Sequence, residues 1–258
     1  HGWIQAYAED AQEALDLALM SFYVAEHKDV ATPFMANLDG FTLTHTYEVV
    51  DVPDAKQADE FLPPYETDNK ISFDDPKDLG FSAGPDTNTE FKYKEHLGIL
   101  NARRVIKESE DKFFKIFNRK YSGLIETYKT EDADFVIVTL GTISGLVKEV
   151  VDDLRDKGQK VGLLRIRYLR PFPNEEIVEA LKNVKAIGVL EKDISFGNEG
   201  TVYTNVNSAL HKAKLDVISS NYIAGLGGRN IEKHQIEDIF TRLQSLNHEI
   251  VFVGLKEE

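Results

Sequence analysis

Cysteine is absent from the 258 residues. Its absence excludes disulfides, thiolate zinc sites, iron–sulfur ligation and a cysteine nucleophile within this chain. Long apolar runs are missing too. No stretch of about 18 uncharged hydrophobic residues occurs, so no membrane-spanning helix is predicted. The N-terminus lacks the basic, apolar and small-residue regions of a secretory signal, which points to the cytoplasm. Positive charge is in the minority, with 30 Lys and Arg against 44 Asp and Glu and a net −14. A phosphate backbone is repelled by such a surface, so nucleic acid is not an expected partner. The seven histidines show no metal-ligand spacing, so no metal site is expected in this chain. What is present in quantity is hydrophobic residue, 42% of the chain, enough for a packed core.

The chain divides into three parts, residues 1–55, 56–129 and 130–258. In the first, Asp10 followed by Glu13 is a capping-box signal. Behind it Ala11, Leu15, Ala18, Phe22 and Ala25 fall at helical spacing, with Leu17, Leu19, Met20 and Val24 on other faces. A helix apolar nearly all round expects cover on several sides. "VATPFMANLDGF" adds one strand ending at Asp39-Gly40. One helix and one strand cannot bury that surface, so this part reads as the last αβ unit of a larger domain. The second part is a connector in which Pro63, Pro64, Pro76, Gly80, Gly84 and Pro85 interrupt regular structure. Such length without structure suits a segment lying across a partner. An amphipathic helix over about 89–128 follows, with Phe113, Ile116, Phe117 and Leu124 near one stripe.

The third part alternates strands and helices. Strands are predicted over "DADFVIVTLG", "KVGLLRIRYL", "KAIGVLEKD", "DVISSNYIAGLGG" and "EIVFVG". Helices lie between them, one stopped by Gly158, one capped by Asn174 and one by Asn230. This pattern predicts an α/β fold: a doubly wound, mostly parallel five-stranded sheet covered on both faces. In such a sheet ligands sit beyond the carboxyl ends of the strands. Four loops lie there: 141–145, 170–174, 191–200 and 221–230. Ser195-Phe196-Gly197-Asn198-Glu199-Gly200 joins a strand to a helix N-terminus, where backbone N–H groups suit an anion. The same glycines equally serve a tight turn with positive φ. "GLGGRN" lacks the spacing of a dinucleotide fingerprint and follows the fourth strand, not the first. Arg165, Arg167 and Arg170 alternate along a strand and its exit. They suit bidentate contact with a partner carboxylate or phosphate, or a solvated sheet face. His45 is a possible proton carrier, or a local hydrogen-bonding residue. No catalytic constellation stands out.

The blocks "GWIQAYAEDAQEALDLALMSFYVAE", "PFMANLDGFTLTHTYEVV", "FLPPY", "DADFVIVTLGT", "GLLRIRYLRPFP", "SFGNEG" and "YIAGLGGRNI" occur in that order. Together they resemble the α subunit of multisubunit pyruvate:ferredoxin oxidoreductases, members of the 2-oxoacid:ferredoxin oxidoreductase family. The resemblance runs from Gly2 to about Asp238. It implies that 1–55 is the end of a domain binding the aminopyrimidine of thiamine diphosphate, 56–129 a connector with a linker helix, and 130–258 a transketolase C-terminal-like domain. The family's activating glutamate, and the threonine and arginine near its substrate, precede the equivalent of Gly2. The resemblance therefore assigns no catalytic residue to this chain, and implies that the chain alone binds no cofactor.

The chemistry implied is oxidative decarboxylation. Thiamine diphosphate, held with Mg in the assembled complex, attacks a 2-oxoacid carbonyl and carbon dioxide leaves. Coenzyme A takes the acyl group, and electrons pass through iron–sulfur clusters on other subunits to ferredoxin. The implied partners are β, γ and δ type subunits, the missing N-terminal half, and the 2-oxoacid and coenzyme A in the complex. Pyruvate is the expected substrate. A branched-chain 2-oxoacid, a non-catalytic assembly or regulatory subunit, and an unrelated nucleotide-binding module are the competing readings. The expected active-site or partner edge comprises Arg170, Ser195, Gly197, Asn198, Gly200 and Arg229, with the two arginines pairing acidic groups across it.

Overall fold

A computed structural model describes residues 2–80 and 82–256. The larger of two sheets is built on alternating apolar runs and helices. Its parallel strands are β4 (Phe135–Thr139), β5 (Val161–Ile166), β7 (Ala186–Glu191), β8 (Ile218–Ile223) and β9 (Ile250–Phe252). These are the five strands predicted from the sequence. A sixth, β3 (Ile125–Tyr128), pairs antiparallel with β5 and gives the order β3-β5-β4-β7-β8-β9. It lies in the stretch read as linker helix, and its four residues are too few for period-2 alternation to stand out.

Helices cover both faces of this sheet. Ile177 and Leu181 of α5 (Asn174–Leu181) pack on one side with Val202, Val206 and Leu210 of α6 (Thr201–Lys212). Val147, Val150 and Val151 of α4 (Ile143–Asp156) pack on the other with Ile236, Ile239 and Phe240 of α7 (Lys233–Leu243). Every residue of β5 and β7 is buried, as expected of strands sandwiched between helix layers. Gly158, at φ +80°, follows α4 as predicted. Two caps differ from the sequence reading. Pro173, not Asn174, precedes α5, and α7 is capped not by Asn230 but by Glu232, whose carboxylate forms a capping box with Gln235.

The smaller sheet has the order β2-β1-β6. β1 (Ile4–Tyr7) runs parallel to β2 (Phe34–Asn37), and β6 (Tyr168–Arg170) joins β1 from the other side, antiparallel. The first part thus holds two strands, not one. α1 (Ala11–Ala25) crosses between them. The Asp10 carboxylate accepts the Glu13 N–H at 2.7 Å, but the Glu13 carboxylate takes the Glu9 N–H at 2.8 Å, so only half of the expected capping box forms. Leu17, Met20 and Val24 of α1 are buried, whereas Phe22 is 57% exposed. Among the described residues this helix is covered on one side, less than its composition calls for.

The connector is not wholly irregular. α2 (Ala55–Phe61) forms ahead of Pro63, capped by Asp54 and Gln57, and buries Phe61 against Phe113 and Phe117 at ring distances of 5.3 and 5.9 Å. α3 (Pro85–Phe117) starts earlier than expected and stops at Asn118, which adopts left-handed φ 55°. Its Gly98 passes so close to the loop after α1 that an added Cβ would lie 2.5 Å from the Val30 carbonyl oxygen.

The two sheets are tied by buried charge. Arg165 and Arg167 face inward, correcting the reading that they meet a partner or solvent. Arg165 Nη1 donates to Glu13 Oε2 at 2.6 Å and its Nε to Glu126 Oε2 at 2.7 Å. Arg167 Nε donates to Glu13 Oε1 at 2.8 Å and its Nη1 to Glu110 Oε1 at 2.5 Å. Burial pushes the Glu13 carboxyl up, but the Arg167 and Arg165 guanidiniums outweigh it and hold the group at about 2. Arg167 also lies over the Tyr121 ring, 4.8 Å from its centroid.

Candidate functional site

The carboxyl ends of β1 and β2 meet those of β4 and β7 around a cleft of about 430 Å³. Tyr7, Asn37, Leu38 and Asp39 form one wall, and Thr139, Gly141, Glu191, Lys192 and Asp193 the other. Leu140, Ile143, Leu169, Leu190, Val202 and Ile231 make the rest largely apolar. Lys192 Nζ lies 3.0 Å from Asp39 Oδ2 and bridges the walls, and the Thr142 hydroxyl donates to the same carboxylate. Thr139 Oγ1 donates to the Leu190 carbonyl at 2.7 Å. Burial and the nearby Asp193 raise the Tyr7 phenol above its usual range, partly opposed by Arg170, so it is a neutral hydrogen-bond donor at ordinary pH.

Glu191, buried at the end of β7, was not singled out from the sequence and organises this edge. Its Oε2 accepts the Val202 N–H at 2.8 Å and its Oε1 the Tyr203 N–H at 3.1 Å. Asn221, buried in β8, donates to Glu191 Oε1 at 2.8 Å and accepts the Gly200 N–H at 2.7 Å. The N-terminus of α6 therefore already holds an anion, the chain's own carboxylate. Burial nevertheless raises the Glu191 carboxyl above its usual range, with the Val202 and Tyr203 amides pulling it back. Gly200 belongs to this arrangement, since a Cβ there would run into the Glu191 carboxylate. A sequence signal existed: an acid closing the otherwise apolar "KAIGVLE" has to find donors once that strand is buried.

The six residues expected along this edge separate in the structure. Ser195, Gly197 and Asn198 form an exposed turn in which the Ser195 N–H donates to the Glu199 carbonyl at 3.1 Å and the Asn198 N–H to the Ser195 carbonyl at 2.8 Å. Gly197 sits at φ +84°, which is the turn reading of this loop. Arg170 is half-buried, stacks near Phe172 at 5.9 Å and donates to Asn205 Oδ1 at 3.2 Å. Desolvation lowers its pKa, and it meets no carboxylate within ion-pair distance among the described residues. Arg229 is exposed and donates to the Gly254 carbonyl at 2.6 Å. It lies away from the cleft walls. His45 is a local residue, its Nδ1 2.8 Å from the Thr44 hydroxyl and its ring 4.9 Å from that of Phe41.

The cleft does not fit a diphosphate. Its acids outnumber its single ammonium, that ammonium is paired with Asp39, and the helix amides beside it are taken by Glu191. Neutral apolar surface and stiffly held polar groups equip this edge for packing and positioning. Among the described residues no group of three or more His, Cys, Asp or Glu is placed to hold a metal ion, and no helix is long and apolar enough to cross a membrane.

Two packed α/β units sharing one carboxyl-edge cleft define the class of fold. A solved 2-oxoglutarate:ferredoxin oxidoreductase from Magnetococcus marinus has this fold, with a TM-score of 0.54 at 15% identity over 95% of this chain and 42% of that one. Residues 1–111 match the family "Pyruvate flavodoxin/ferredoxin oxidoreductase, thiamine diP-bdg", and 133–236 match "Pyruvate:ferredoxin oxidoreductase core domain II". The pyruvate synthase subunit PorA of Methanothermobacter thermautotrophicus is 40% identical over 100% of this chain and 66% of its own length. The ketoisovalerate oxidoreductase subunit VorA of Pyrococcus furiosus is 41% identical over 99% of this chain and 66% of its own. The chain belongs to the pyruvate:ferredoxin oxidoreductase α-subunit family, and spans 60% to 67% of the length of the pyruvate synthase relatives it matches.

Proposed function

We propose that this chain serves in a thiamine-diphosphate-dependent 2-oxoacid:ferredoxin oxidoreductase that decarboxylates pyruvate oxidatively to acetyl-coenzyme A, with electrons passing to ferredoxin. The observation that carries the reading is 40% identity to a pyruvate synthase subunit over 100% of the chain. In this reading 1–55 ends the pyrimidine-binding domain, 56–129 connects, and 130–258 is the second domain that backs it. The acid-rich cleft holds no free cation for a diphosphate, so the cofactor and Mg are held by residues other than those lining it, and iron–sulfur clusters reside on cysteine-bearing partner subunits. The chain's own contribution is positional. Lys192 and Asp39 span the cleft, and Glu191 locks the α6 terminus against β8, so the two units present a rigid carboxyl edge to the rest of the enzyme. We assign the working complex to the cytoplasm.

A second reading, that the substrate is a branched-chain 2-oxoacid, is favoured by the 41% identity to a ketoisovalerate oxidoreductase subunit. The test is turnover of the assembled complex with ferredoxin and coenzyme A, comparing pyruvate with 2-oxoisovalerate. A kcat/KM at least tenfold higher for pyruvate is expected. The reverse ratio would transfer the assignment to the branched-chain acid, and no turnover with either would leave a non-catalytic subunit.

A further inference from the structure

The described residues 62–80, between α2 and α3, are anchored at both ends, and the contacts found between those ends are few. Phe61 is buried at one end, and Lys112 Nζ of α3 donates to its carbonyl at 2.7 Å. At the other, α3 packs on the body from Gly98 onward. Across 62–80 the hydrogen bonds among the described residues are local, such as Asn69 N–H to Thr67 Oγ1 at 3.1 Å, Asp74 N–H to Ser72 Oγ at 3.2 Å and Lys77 Nζ to the Asp68 carbonyl at 2.8 Å. The segment is therefore a strap anchored at its two ends, not a free tail.

Its side chains are of two kinds. Phe73 is 102% and Ile71 80% exposed, and Tyr65 and Leu79 are exposed as well. Large apolar side chains this open are costly to leave in water relative to burial. Further along the chain, Tyr93, Leu97 and Leu100 of α3 share one exposed stripe at helical spacing. Around these anchors the charge is mostly negative. Residues 62–80 hold five Asp and Glu against two Lys, a net −3.

We propose that residues 62–80 dock on a different protein subunit whose facing surface is basic and carries apolar pockets, with Tyr65, Ile71 and Phe73 as the anchors. Aromatic and aliphatic side chains seated in pockets carry most of an interface's energy, while complementary charge at the rim selects the partner. The sign of the charge decides against the other occupants. A second copy brings −3 against −3, and anionic lipid or nucleic acid is repelled in the same way. The proposal rests on the chain's being one subunit of a larger enzyme, and adds where and by what chemistry it is gripped.

The test is zero-length carbodiimide coupling of the purified complex, followed by peptide mass spectrometry. Links are expected from Glu66, Asp68, Asp74, Asp75 or Asp78 to lysines of a different subunit. The double variant Ile71→Ser, Phe73→Ser is expected to bind that subunit about a hundredfold more weakly. Its circular dichroism is expected to stay that of the unsubstituted chain, since neither side chain enters the core. Raising salt from about 0.1 to 1 M shortens the screening length from about 10 to 3 Å and is expected to weaken association further. Links to a second copy of this chain, or unweakened association of the double variant, overturn the proposal. A complex that turns over while its strap is unlinked removes the docking alone. A complex that links through the strap but turns over no 2-oxoacid removes the oxidoreductase reading and leaves the docking standing.

Discussion

Replacing Glu13 with Gln probes the joint between the two sheets. Glu13 is buried between two buried guanidiniums, accepting from Arg165 at 2.6 Å and Arg167 at 2.8 Å. The amide keeps the shape but removes the charge that neutralises both, and breaking a buried pair from one side costs about 3–5 kcal/mol. Linkage gives a second route to the size. A carboxyl held at about 2 in the folded protein and at 4.5 otherwise contributes about 3 kcal/mol at neutral pH. Because the folded value is depressed, that contribution is present above pH 4.5 and drains away as pH falls toward 2. Urea unfolding of both proteins, followed by circular dichroism from pH 7 down to pH 3, checks both statements. The variant is expected to lose about 3–5 kcal/mol at pH 7 and progressively less below pH 4.5. A loss under about 1 kcal/mol at pH 7, the range of a surface pair, would refute the buried-clamp argument, as would a loss that stays constant down to pH 3.

Glu191→Ala leaves the Val202 and Tyr203 amides and Asn221 without their acceptor, and is expected to cost about 2–4 kcal/mol in thermal or urea unfolding, with Glu191→Gln recovering more than half. Gly98→Ala pushes α3 against the Val30 carbonyl, 2.5 Å from the new Cβ, and is expected to destabilise by about 1–3 kcal/mol in the same assay. Arg229→Ala removes one hydrogen bond at an exposed site and is expected to change the stability of the chain by no more than about 0.5 kcal/mol, so any larger loss of association in the complex would report an interface at that arginine. Calorimetry of the isolated chain with thiamine diphosphate is expected to show no micromolar binding, because the cleft's one ammonium is already paired.

The parallel strands of the larger sheet were legible because each is an apolar run bounded by charge or glycine, and their helices because Val147, Val150, Val151 and Leu154 keep a clear period. β1, β3 and α2 were not. Four residues in β1 and in β3 are below what a periodicity can reveal, and the prolines after Phe61 hid the short helix that precedes them. The candidate edge was legible as a place but not as a set of residues. Glycines in "SFGNEG" announced a turn, and the turn is there. The group that fills the helix terminus comes from Glu191, before the loop, with Asn221 from the next strand supporting it. Likewise the alternation of Arg165 and Arg167 is compatible with either a wet face or a buried one. Only the packing of α1 and α3 across them, which brings Glu13 and Glu110, decides it.

β5 and β6 are one continuous run of chain, from Val161 to Arg170, interrupted only by Arg167, yet the two strands belong to different sheets. A beam built into both walls of a house leaves no doorway between the rooms. The front and back of this protein share a backbone segment, so a hinge motion that opens the cleft between Asp39 and Lys192 has to bend that segment and not merely swing about a linker. Movement at this edge is left to the loops that follow the strands, while the frame that carries them stays a single unit.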